Sequence, residues 1–135
     1  MHAAAVSDRI GEFGDQAVVA LITFGDRSEV ANYMTKNELS FPVLIDPGRV
    51  SYTAYGLRRA TLLRVWGFRA ARRYIDIVLN QGFSGLSRPT DDTRQLGGDF
   101  VVGSDGTLEF GHWSEGPEDR PSVDTLVDVV RRLDD

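Results

Sequence analysis

Residues 95–114 read QLGGDFVVGSDGTLEFGHWS, and this stretch decides the fold. Asp99–Val102 and Thr107–Trp113 are two short runs of strand-forming residues, and Asp105-Gly106 between them is a turn signal. Together they predict an antiparallel β-hairpin. Gly97-Gly98 leads into the first strand, where missing side chains fit a close backbone approach or a bulge. Downstream, Glu115–Pro121 is a polar loop. Ser122 then caps a last helix whose apolar stripe is Val123, Leu126, Val127, Val130 and Leu133. Arg131 and Arg132 close that helix, where cations suit its dipole.

Upstream the pattern changes. AVVALITF, Ala17–Phe24, is an almost unbroken apolar run, the mark of a parallel strand covered on both faces. Ser7–Phe13 before it reads as the end of a helix stopped by Gly14. After it, Asp26 to Glu29 resembles a capping box, opening a helix that buries Val30, Tyr33 and Met34. FPVLI, Phe41–Ile45, is a second strand, placed at an edge because Pro42 cannot donate a ladder hydrogen bond. Val50–Tyr55 is one or two helical turns ending at Gly56. Arg58–Leu79 has a helical pattern interrupted at Gly67, and Gln81–Gly98 is a long loop. Strands alternating with helices imply parallel pairing, and the late strands are antiparallel. The expected fold class is α/β: one domain over residues 1–135, a mixed sheet with helices on both faces.

Composition excludes several functions. Hydrophobic residues are 41% and charged residues 26%, so the chain has the makeup of an ordinary globular domain. The formal net charge of -5 gives nucleic-acid binding no global support. No apolar run is long enough to span a membrane, and Met1–Val6 lacks the basic start of a signal peptide. The expected location is therefore cytoplasmic. The cysteine count is 0, which rules out disulfides, thiolate metal sites and a cysteine nucleophile. With two histidines, no metal-ligand set is legible, and no cofactor is expected. There is no phosphate-binding glycine loop, serine-nucleophile elbow or opposed carboxylate pair.

Three strings together resemble the peroxiredoxin-like AhpC/TSA antioxidant family, which has the thioredoxin fold. They are FPVLIDP (Phe41–Pro47) followed by Tyr52, Tyr55, Gly56 and Leu57; RRATLLRVWG (Arg58–Gly67); and Gln95–Ser114 with Asp119 and Pro121 after it. The resemblance implies thiol-dependent peroxide reduction. In that family a cysteine stands at the start of the first helix, after the first, central strand, where the helix N-terminus lowers its pKa. Met1–Phe13 matches the body of that helix, so the resemblance places both strand and cysteine before Met1. The expected fold is thus N-terminally truncated, lacking its central strand. No residue of this sequence inherits a catalytic role. By the same resemblance, Gly97 and Gly98 form part of a former active-site wall, where thioredoxin-like proteins often carry a cis-proline.

One charge asymmetry stands out. Arg58, Arg59, Arg64, Arg69, Arg72 and Arg73 lie in a stretch with no acidic residue from Pro47 to Ile75. They define a candidate surface for an anion, an acidic partner or a membrane interface; the alternative is a solvated helix face. His112 reads either as a proton-transfer group beside a pocket or as a half-exposed strand-end histidine. His2 reads as part of a frayed terminus. Two functional readings follow. One is a non-catalytic binding or scaffold domain derived from a redox enzyme. The other is part of a longer enzyme that carries the cysteine upstream. A sheet lacking its central strand also raises the expectation of a homodimer.

Overall fold

The computed structural model describes residues 2–59, 95–116 and 118–134. The predicted helical stretch after Arg59 and most of the long loop before Gln95 lie outside these residues, as do Arg64, Arg69, Arg72 and Arg73. The described elements run α1 (His2–Asp8), a 3₁₀ turn (Ile10–Phe13), β1 (Leu21–Thr23), α2 (Arg27–Asn37), β2 (Val43–Ile45), α3 (Val50–Ala54), β3 (Gly98–Val102), β4 (Leu108–Trp113) and α4 (Val123–Asp134). No helix among them is long and apolar enough to cross a membrane.

β1 and β2 pair in parallel, with Leu21 opposite Val43 and Thr23 opposite Ile45. β3 and β4 pair antiparallel, with Gly98 opposite Trp113 and Val101 opposite Phe110. Among the described residues these are two separate two-stranded sheets rather than one mixed sheet. Among the described residues, the hydrogen bonds show which edge of each strand is paired. Leu21 N–H donates to the Pro42 carbonyl (3.0 Å) and Asp46 N–H to that of Thr23 (2.7 Å). Leu21 and Thr23 therefore face β2, and the backbone of Ala20, Ile22 and Phe24 faces away. Ser114 N–H donates to the Gly97 carbonyl (3.1 Å), so Gly97 and Asp99 face β4 while Gly98 and Phe100 present their backbone to the opposite side.

Both sheets rest on one core. Val6, Phe13, Phe41, Val123, Leu126 and Val127 form its buried centre, and Leu21 of β1, Val101 of β3 and Phe110 of β4 pack around it. α1 and α4 supply four of those six residues, at helical spacing.

Several expectations need correction. β1 is three residues long, not eight, because its partner β2 is only three long. Ala17 and Val19 still turn inward with Leu21, but Val18 is 88% exposed and Leu44 is 52% exposed. Among the described residues the second face of this pair is thus open, where the sequence implies cover. Asp26 does cap α2, accepting from Ser28 N–H (2.8 Å) and Glu29 N–H (2.9 Å). On α2 Val30 is buried, whereas Tyr33 and Met34 are half-buried. Leu133, in the last turn of α4, is exposed. His2 is not frayed: it belongs to α1 and is tied to β3.

Candidate functional site

The hairpin and the segments around it gather the chemistry-bearing groups. Gly97 and Gly98 enter β3 by close backbone approach. A Cβ on Gly98 would lie 2.7 Å from the His112 carbonyl oxygen and 2.9 Å from Leu57 Cδ2, distances that side chains do not tolerate. A Cβ on Gly97 would strike the Arg120 guanidinium. Gly98 is therefore needed for packing against backbone, whereas at Gly97 the obstacle is the tip of a flexible side chain.

Asp99 follows them and is the polar centre of the region, with a side chain only 15% exposed. His2 Nε2 lies 2.8 Å from Asp99 Oδ1, and Arg120 Nη1 donates to Asp99 Oδ2 at 3.1 Å. One carboxylate thus joins α1, β3 and the loop before α4. Directly opposite Asp99 on β4 stands His112. Its Nε2 is 3.0 Å from Asp119 Oδ1, and Asp119 Oδ2 accepts the Glu115 N–H at 2.7 Å. That backbone bond, followed by the side-chain bond from His112, holds the Asp119 carboxyl below the usual carboxylate range. His112 is thus a paired, part-buried histidine rather than a free one.

A cleft of about 330 Å³ opens beside this network, between Gly56–Arg58, Leu96 and Trp113–Glu115. Its indole wall is held from two sides. Trp113 Nε1–H donates to the Tyr55 carbonyl at 2.6 Å. Phe100 packs edge-on at 5.3 Å between ring centres, and Tyr55 packs against Phe100 at 4.7 Å with the rings tilted by 52°. The ring lies over Gly111, where a Cβ would come within 2.5 Å of it. Ser114 is 4% exposed, and its hydroxyl has no hydrogen-bond partner among the described residues. Such a buried group costs about 1–3 kcal/mol. Arg58 is exposed at the rim, and its carbonyl accepts the Leu96 N–H at 3.0 Å. Arg59 forms an isolated antiparallel bridge with Gln95. The basic stretch therefore starts at the cleft.

Sequence reasoning singled out Gly97, Gly98, Arg58, Arg59 and His112, and all five meet around the hairpin. It missed the partnership of His2, Asp99 and Arg120. His2 and Asp99 are separated by 97 positions, so no local spacing joins them. It also missed Ser114, although the string quoted above ends on that residue. Among the described residues no three His, Asp or Glu side chains are grouped to hold a metal ion. The network can fix, orient and share protons, but it has no thiol to oxidise.

The family model for the AhpC/TSA antioxidant enzyme matches residues 7–116, more than half of the chain. The chain belongs to this AhpC/TSA peroxiredoxin-like family, and its helices and small sheets fit an α/β thioredoxin-like fold. No curated protein matches it.

Proposed function

We propose that the chain carries the scaffold of a thiol-dependent peroxidase without the nucleophile, and that these 135 residues do not reduce peroxide. The observation that carries this reading is a cysteine count of 0 in a chain that matches the family over residues 7–116. Peroxide reduction of this kind begins with a thiolate attacking the O–O bond and becoming a sulfenic acid. Neither methionine nor the histidine–aspartate pairs replace that step. The test is hydrogen peroxide consumption by the purified chain with a dithiol reductant. The expected rate equals that of the protein-free control. Turnover that survives metal chelation would overturn the reading.

The position of the family's central strand belongs to the same proposal. It falls between β1 and β3, and the edges of these strands that have no strand partner among the described residues, both strands resting on one core, support that placement. When the position is empty, a second copy of the chain pairs with an exposed edge and gives a homodimer. A second functional reading, a binding domain that uses its basic stretch for an acidic partner, anion or membrane surface, draws support from Arg58. Arg58 is exposed and lines a formed cleft.

A further inference from the structure

We propose that the cleft beside Trp113 binds a small, flat organic anion of the aromatic carboxylate type. The inference stands independently of the peroxidase reading and would survive its failure. The cleft's volume, about 330 Å³, is at the lower end of the range for small-molecule sites. Its wall is prepared in advance. The Trp113 indole is fixed by its bond to the Tyr55 carbonyl and by Phe100, yet remains 48% exposed. A flat apolar ring gains contact there without ordering a loose side chain. Leu57 and Leu96 extend the apolar lining. The second observation is Arg58, an exposed residue that lines the same cleft at the start of the stretch without acidic residues and supplies the charge preference. Glu115 lines the cleft as well and adds one negative charge, so a cationic ligand is the competing outcome.

The test follows the Trp113 indole N–H in ¹H–¹⁵N spectra of the full chain, assigned with a Trp66→Phe variant. The probes are benzoate, neutral benzamide and cationic benzylamine. The expected result is a saturable shift with benzoate, binding about tenfold tighter than benzamide, the worth of one charge-assisted hydrogen bond. Arg58→Gln abolishes that tenfold preference. Ser114→Ala, whose hydroxyl is enclosed behind the cleft wall, leaves benzoate binding unchanged while raising the thermal midpoint, since it removes a buried unpaired hydroxyl. No saturation with benzoate, equal response to benzylamine, a preference intact in Arg58→Gln, or an indole resonance at its random-coil position would each overturn the proposal.

Discussion

Single residues around the hairpin carry sharply different loads. At Gly98 a methyl group meets the His112 carbonyl oxygen at 2.7 Å, and backbone cannot swing aside as a flexible side chain can. Gly98→Ala should therefore cost about 1–3 kcal/mol, the usual range for overpacking, read from chemical denaturation. An unchanged midpoint would show that β3 and β4 do not approach so closely. Asp119 has an electrostatic role. Its carboxyl is held below the ordinary value, first by the Glu115 N–H and then by His112. A depressed folded pKa contributes stability above the unfolded pKa, near 4, and that contribution is lost as the pH falls through the folded value. Asp119→Asn should thus be less stable than the parent at pH 7. The gap between them should narrow below about pH 4, as thermal melts across that range would show. A gap independent of pH would remove the carboxylate from the account.

At the scale of elements, α4 anchors the molecule. It brings Val123, Leu126 and Val127 to the buried core beside Val6, Phe13 and Phe41, and Ser122 Oγ accepts the Thr125 N–H at 3.1 Å to start the helix. Truncating Leu126 to Ala should cost about 2–5 kcal/mol, whereas Ser122→Ala should cost about 1 kcal/mol. Denaturant titration should keep that order; a reversal would mean that α4 is held by its cap rather than its stripe. The same helix shows what the sequence made legible. The stripe of α4, the Asp26 cap and the hairpin were readable because each signal lies within a few neighbouring residues. The short β1 was not, because its length is set by β2, some twenty residues further on. The Asp99 network joins three elements far apart in the chain, so only the folded backbone brings it together. The parallel strand pattern of Ala17–Phe24 predicts cover on both faces, but the exposed Val18 and Leu44 show that cover depends on elements that periodicity does not count.

At the scale of the whole molecule, the consequential feature is that the described strands form two separate pairs. β1 and β3 rest on one core, yet each pairs on one side only among the described residues. Ile22, on β1, has one remedy: its carbonyl accepts the Tyr52 hydroxyl at 3.0 Å. Each backbone group buried without a partner costs about 1–3 kcal/mol, and a typical domain has only about 5–15 kcal/mol of stability in all. Several unpaired groups would use up that margin, so an edge of this kind tends to recruit a strand from elsewhere. The membership in the AhpC/TSA family, the absent thiol and the two separate sheets all meet in this claim. Sedimentation velocity of the purified chain over a wide concentration range tests it most directly. The account predicts dimers or larger species that grow with concentration. A single monomeric species at every concentration would contradict it.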